Sequence, residues 1–476
     1  MVEGAAISDH EGKPVCVGIS QRMFHLFALS LDQGPNFDGE ELSWWMSANQ
    51  RATGMIYGTP AGFGFIVMRR RVDSCWVPKC DRDGLASYEL AVDGMCDAMA
   101  FGEPYEPIPP GARRRPPLFS QTSRGTFRVL VDGYAHLPAM VAVGEVYLAL
   151  SNPDANFASD MRGDNFDARI WELYLFACFR EQGIKVTQAH PSPDFHIQRD
   201  GMSAYIEAVT AHSAEGSSQM SATPMFAPED REERLIGPAA ARFAKTIRSK
   251  LQRSYDELPH VAGHPFALAV ADFHGSASMV WTREALPSYL YGIYPIVADT
   301  PSGRVAIEER IAQLRGPDRI PAGIFRDPSY AHLSAIVFSN AGTMTKFNRM
   351  GFLAGIRPPG LGMMRRGVIY DRTPGALEAI EFKADILSDE YTALWHGGEC
   401  WCQELEIYHN PLATNPFPHD LLPGATHWFE RDGELVCEAY WENTFVASVT
   451  TLNGNRPTPK LRQAKDGEGQ GGNGDD

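Results

Sequence analysis

Between Phe166 and Ala211 the hydrophobic pattern changes period once, and that change limits what this part of the chain can fold into. Apolar residues first fall three and four apart, at Phe166, Ile170, Leu173, Tyr174, Ala177 and Cys178, the stripe of a helix. Asp164 or Asn165 can cap its start, and Gly183 stands where a left-handed C-terminal cap belongs. Ile184 to Thr187 then leads into Pro191 and Pro193, which bar further helix. Asp194 to Ile197 reads as a short strand and Arg199-Asp200-Gly201 as a tight turn. Ala204 to Ala211 reads as a second strand, with Tyr205, Glu207 and Val209 alternating against Ile206 and Ala208. Residues two apart share a strand face, so Glu207 and Val209 point the same way. The pattern predicts a helix followed by a hairpin, with one carboxylate on each element: Glu172, Asp194 and Glu207.

Two or three carboxylates with a strand carbonyl and waters make an oxygen site suited to Mg2+ or Mn2+. Such a cation neutralises a phosphate and activates a water, and a neighbouring ammonium stabilises the developing negative charge. Val209 cannot supply that ammonium. Taken singly, Glu172 is an ordinary helix glutamate and Asp194 after a proline is an ordinary turn residue. Glu207 lies in an otherwise apolar strand, where a carboxylate needs a partner. The positive charge is expected from Ala239–Tyr255, an amphipathic helix with Arg242, Lys245, Arg248, Lys250 and Arg253 on its basic side. Ala241, Ala244, Ile247 and Leu251 form its packing face. Lys250 is the first choice and Lys245 the second, while Lys185 reads as the start of the strand after the first helix. The same basic side also reads as a solvated face, or as a contact to a phosphate backbone without chemistry.

Helix, strand, turn and strand with a carboxylate on each element resembles the PD-(D/E)xK nuclease core, with Glu-x-Val in place of Glu-x-Lys. In that family a lysine from a neighbouring helix can substitute for the missing one. The run Asn165-Phe166-Asp167-Ala168-Arg169-Ile170-Trp171-Glu172-Leu173-Tyr174-Leu175 extends the likeness, with Ser249-Lys250-Leu251, Leu258–Val261, Pro265–His274, Tyr289–Gly292 and Tyr408–Pro411. Together these resemble a family of uncharacterised bacterial proteins with a restriction-endonuclease-like core, sometimes labelled glycosaminoglycan attachment site proteins. The likeness spans most of the chain from Trp44 to Phe445. It implies a mixed sheet flanked by helices and a metal-dependent nuclease that hydrolyses phosphodiesters. Glu172, Asp194 and Glu207 would hold Mg2+ or Mn2+, and Lys250 or Lys245 would supply the charge. DNA is expected ahead of RNA as the partner. The alternative reading is a catalytically inactive module of the same fold that binds nucleic acid or a protein partner, as in a bacterial defence or mobile-element system. An ammonium within hydrogen-bonding reach of the Asp194 and Glu207 carboxylates, across a phosphate-sized gap, favours catalysis; carboxylates capped by arginines or buried in apolar packing favour the inert reading. Paired nuclease cores often act as dimers, so a homo-oligomer is a further expectation.

The 476 residues, 44% apolar and 21% charged, are those of a globular protein with room for more than one domain, and the resemblance implies an α/β fold. An N-terminal α/β unit is expected over 1–117, the nuclease-like core over 118–294, a β-rich α+β extension over 295–454 and a disordered tail over 455–476. Within these, a strand is expected at Gly62 to Arg69 and helices at Ser87 to Ala100 and Ile307 to Leu314. A strand followed by a helix is expected from Arg124 to Leu150, and strands at His332 to Ser339, Glu404 to Tyr408 and Glu434 to Trp441. The long polar stretch His212 to Pro238 lies between the site strand and the basic helix, where it could gate a substrate. No run of about eighteen apolar residues predicts a membrane span, and the acidic start has no leader pattern, so a cytoplasmic protein is expected.

A net charge of −16 argues against broad coating of nucleic acid, so contacts must come from local patches. The candidates are Arg69-Arg70-Arg71, Arg113-Arg114-Arg115 and the helix at 242–253. Eight cysteines are read as reduced thiols. Cys75 with Cys80, and Cys400 with Cys402, have zinc-like proximity but no second ligand pair nearby in sequence. Gly360-Leu361-Gly362 lacks the context of a dinucleotide loop, and neither a phosphate-binding G-x-x-x-x-G-K-[ST] nor a G-x-S-x-G serine elbow occurs. His196 alternates with Asp194 and is expected on the same side, as a proton-transfer candidate or a surface residue.

Overall fold

Alternating apolar strands dominate the start of the chain and pair in sequence order. This computed structural model describes residues 6–8, 14–32, 37–99, 103–119, 125–212, 229–274, 278–301, 303–316, 318–373 and 376–454. The six strands β1 (Ala6–Ser8), β2 (Pro14–Gly18), β3 (Glu40–Ser47), β4 (Ala52–Thr59), β5 (Gly62–Arg70) and β6 (Trp76–Leu85) form one antiparallel sheet. Helices α1 (Gln21–Ala28) and α2 (Tyr88–Met99) cover its two faces. Alternation along β4 sends Met55 and Tyr57 toward Phe24 and Phe27 of α1, and Ala52 and Ile56 toward Ala91 and Met95 of α2. The arginine run at the end of β5 is not a free basic patch. Arg69 pairs with Glu106, Arg70 with Glu145 at 2.6 Å and Arg71 with Asp73 at 2.5 Å.

Residues 125–149 do not begin with a strand. They form α3 (Gly125–Asp132) and α4 (Leu137–Ala149), because Phe127 and Leu130, three apart, are both fully buried, a helical spacing. Next come α5 (Phe157–Arg162), α6 (Phe166–Glu181), β7 (Lys185–Thr187), β8 (Phe195–Arg199) and β9 (Met202–His212). After α7 (Arg231–Ile236) and α8 (Pro238–Leu251), β10 (Phe266–Phe273) returns parallel to β9. Residues 213–228 of the His212–Pro238 stretch, and the tail 455–476, lie outside the described residues.

Beyond α9 (Ala285–Tyr291) the chain makes a hairpin of β11 (Ile293–Thr300) and β12 (Gly303–Arg310). This overturns the helix expected at Ile307 to Leu314. Gly303 takes φ 123°, a turn conformation open to glycine, and Ile307 pairs with Ile296, so cross-strand packing prevails over local pattern. The remaining elements are β13 (Ala335–Phe338), α10 (Met344–Leu353), β14 (Gly362–Ile369), β15 (Ile380–Asp385), α11 (Asp389–Thr392), β16 (Glu406–His409), β17 (Thr426–Arg431), β18 (Glu434–Ala439) and β19 (Phe445–Asn453).

The central sheet has eight strands in the order β18-β17-β16-β13-β10-β9-β8-β7 and mixes parallel with antiparallel pairs. It takes β7–β10 from before residue 294 and β13, β16, β17 and β18 from after it. All eight residues of β10 are buried, as expected of a central parallel strand covered on both faces. One face packs against α4, α6 and α10 through Val143, Leu173, Ile206, Ala269 and Phe347. The other packs against α8 and α9 through Val209, Ala244, Ile247, Leu268 and Leu290.

Candidate active site

Helix α6 is apolar nearly all round, which marks a helix enclosed by protein. Its end is a Schellman motif: Gly183, at φ 72°, donates to the Arg180 carbonyl and Ile184 to the Phe179 carbonyl. Trp171 fixes its rotation on the sheet. The indole Nε1 donates to the Ala269 carbonyl at 3.0 Å, and the ring stacks on Tyr174 with centroids 5.6 Å apart. The next residue, Glu172, is thereby carried into the interior and is 8% exposed.

Asp194 stands immediately before β8. Its neighbour Phe195 pairs with Ile206, so by extension of that register Pro193 stands opposite Ala208. Pro193 has no N–H to give, and the ladder stops there. Asp194 takes over: its Oδ2 accepts the Ala208 N–H at 2.7 Å. A strand residue directs its N–H and C=O to the same edge, so the Ala208 carbonyl faces the same gap. The hairpin that returns the chain uses Asp200 at φ 48° and Gly201 at φ 80°.

Glu207, 5% exposed, lies on the β9 face that looks toward α8. Its Oε1 accepts from Lys250 Nζ at 2.7 Å and from Tyr255 OH at 2.7 Å. Its Oε2 is buried and has no hydrogen-bond partner among the described residues. Val209, in the place of the expected lysine, instead joins Ala240, Ala244 and Ile247 of α8 in an apolar cluster. The structure thus brings Glu207 and Lys250 together. Lys245 does not reach this position: it is exposed, and five residues of helix put it about 140° round from Lys250.

Glu172 is held by Arg169, whose Nη1 lies 3.0 Å from both carboxylate oxygens. Arg169 also reaches Asp154 at 2.7 Å and Asp160 at 2.5 Å. Despite this pairing, burial pushes the Glu172 carboxyl up to about 7, with Asp154 and Glu207 adding repulsion. Burial likewise raises Asp194 well above the usual carboxylate range; the charges of Glu172 and Glu207 add to this, against the Ala208 N–H and Lys250. The three carboxylates are therefore close enough to feel one another. They are not drawn tight: among the described residues, the three-residue group whose ligand atoms all lie within 4.8 Å of one another is Glu181, Cys400 and Cys402, not this one.

His196 stacks on Tyr205, with centroids 4.3 Å apart and planes at 6°, and its ring nitrogen meets Thr187 Oγ1 at 3.4 Å. His260 and His264 meet Tyr205 edge-on, and His190 stacks on His260 at 3.7 Å. Two site residues were not read from sequence. Arg169 had a signal, its i, i+3 spacing from Glu172. Tyr255 had none, because Ser254 at φ 48° redirects the chain after α8. Among the described residues no single helix is long and apolar enough to cross a membrane. Comparison with family models, with curated proteins and with solved structures found no match to this chain.

Proposed function

We propose that this protein is a metal-dependent phosphodiesterase acting on nucleic acid, with a variant PD-(D/E)xK site in which Lys250 replaces the absent strand lysine. The observation that carries this reading is the state of Glu207: buried, bonded on one oxygen by an ammonium and a phenol, and on the other without a partner among the described residues. An orphaned buried carboxylate oxygen costs about 1–3 kcal/mol or more, and a cation would satisfy it. The donor set fits Mg2+ or Mn2+: Glu207 Oε2, the Asp194 oxygen that does not take the Ala208 N–H, and the Ala208 carbonyl are all hard oxygens. When bound, such a cation supplies charge neutralisation at the phosphate and a more acidic water.

The chain's own residues do the rest. Asp194 is fixed by the Ala208 N–H, so it presents a carboxylate with no freedom to swing. Lys250 pairs with Glu207 and places an ammonium where negative charge on the phosphate oxygens would grow. Tyr255 holds the same Glu207 oxygen and orients it. Glu172 acts from behind, adding negative field to the pair while Arg169 restrains it. DNA is the substrate we favour over RNA.

The Arg169 contact also supports a second reading, the inert module, since an arginine on Glu172 occupies a carboxylate that a metal would otherwise use. Cleavage of single- and double-stranded DNA and RNA with Mg2+ or Mn2+ separates the two. Cutting by the natural sequence, abolished in Glu207→Ala and reduced about 10²-fold or more in Lys250→Ala, is the expected result. No cutting and no metal binding by calorimetry would leave the inert module.

A further inference from the structure

The end of α6 carries a second cluster, far from the carboxylates just described. Cys400 Sγ and Cys402 Sγ lie 3.7 Å apart, too far for a disulfide, and both are free thiols. Glu181, the last residue of α6, brings a carboxylate oxygen within 4.8 Å of both sulfurs. Two zinc–sulfur bonds of 2.3 Å at a tetrahedral angle separate the sulfurs by about 3.8 Å, so the thiols already stand at the spacing a tetrahedral zinc requires.

The surroundings hold this arrangement. Glu181 Oε2 accepts the Cys402 N–H at 3.1 Å, and the next residue, Gln182, accepts the Gly424 N–H at 2.8 Å. A Cβ at Gly424 would come within 2.8 Å of Cys402 Sγ, so glycine there keeps room beside the sulfur. Access exists as well: Glu181 is exposed, and Glu181 and Cys400 line a cleft of about 510 Å³ shared with His25 and His396.

Charge favours the same occupant. Behind the thiols lies a buried network of Lys346, Arg349 and Arg365 with Glu399 and Glu404, in which Lys346 Nζ also donates to the Cys400 carbonyl at 2.6 Å. Three cations against two carboxylates leave one positive charge. A divalent cation held by two thiolates and a carboxylate carries one negative charge and offsets it.

We propose that Glu181, Cys400 and Cys402 form a binding site for a thiophilic divalent cation, zinc foremost, with its fourth position open to the cleft. Glu172 and Glu181 sit on the same helix, about 14 Å apart along its axis. The metal clamps the end of that helix to the 400–402 loop, independently of any chemistry at Glu207.

The test is titration of the reduced full-length protein with Co2+, read by the thiolate-to-cobalt charge-transfer band. The expected result is a band saturating at one equivalent, abolished by Zn2+ and untouched by Mg2+, which has no affinity for thiolates. The band should be lost in the Cys400→Ser/Cys402→Ser double variant, roughly halved in Cys400→Ser alone, and kept in Cys437→Ser, whose thiol is exposed elsewhere. Glu181→Gln should weaken Zn2+ binding at least about tenfold. No band with the natural sequence, or a full band in the double variant, overturns the proposal. The spectrum of the natural sequence and the halving in the single variant keep the test decisive even where the double variant folds poorly.

Discussion

At the scale of single residues the site is defined by unequal treatment of three carboxylates. Glu207 has a cation and a phenol, Asp194 has one backbone N–H, and Glu172 has an arginine yet still holds its proton up to about pH 7 because it is buried. The sign of the resulting pH dependence follows. The folded Glu172 keeps a proton that the unfolded chain releases near 4.5, so its contribution is complete below 4.5 and is lost as pH rises through about 7. Urea midpoints of the metal-free protein should fall between pH 5 and pH 8, with this group accounting for on the order of 3 kcal/mol. Glu172→Gln should flatten that fall. Mn2+ should raise the midpoint more at pH 8 than at pH 6, since deprotonated carboxylates bind it better; equal shifts at both pH values would exclude these carboxylates as its ligands. Asp194 and Glu207 were legible in the sequence because prolines bar helix before them and Asp200-Gly201 forces the hairpin. Lys250 is legible as the first choice among five basic residues, but its contact with Glu207 is not, since the rotation of α8 on the sheet is set by packing against residues such as Val209, which no local pattern records.

At the scale of elements the site depends on how α6 seats on the sheet. Gly342 is the tightest point: a Cβ there would lie 2.3 Å from the Trp171 Cε3 atom and 3.2 Å from the Tyr174 ring. Neither ring has room to retreat, as both are fully buried and Trp171 is tied to Ala269. Gly342→Ala should therefore cost about 1–3 kcal/mol in urea unfolding and weaken Mn2+ binding by displacing Glu172. A neutral substitution would show that α6 is not fixed from this side. The helix, its Schellman end and the hairpin were all readable, because each rests on neighbours within a few residues. At 307–314 the local pattern predicts a helix and at 125–132 a strand, and packing reverses both, because short apolar runs fit either period until their partners are known.

At the scale of the molecule, a net charge of −16 means that any nucleic-acid contact must be local. Arg69, Arg70 and Arg71 are committed to carboxylates, whereas Lys245 and Arg248 stand exposed on α8, the helix that supplies Lys250. Lys245→Glu/Arg248→Glu should weaken DNA binding and lower the dependence of log K on log salt by about 2, with metal binding unchanged; an unaltered salt slope would place the contact elsewhere. β13, β16 and β18 overlap segments that read as strands, but their place in the central sheet is not legible from sequence, since Ala267 of β10 pairs with Ala335 of β13, and Ala335 with His409 of β16, partners far apart along the chain. That topology has a consequence during synthesis. When the ribosome has delivered only the first 294 residues, β10 is the last strand of its sheet, and it is buried at all eight positions in the finished protein. Until β13 arrives, a long apolar edge stands open to any other nascent chain. A fragment ending at 294 should collect in inclusion bodies, and the full chain should lean on a holdase that shields that edge until translation is done.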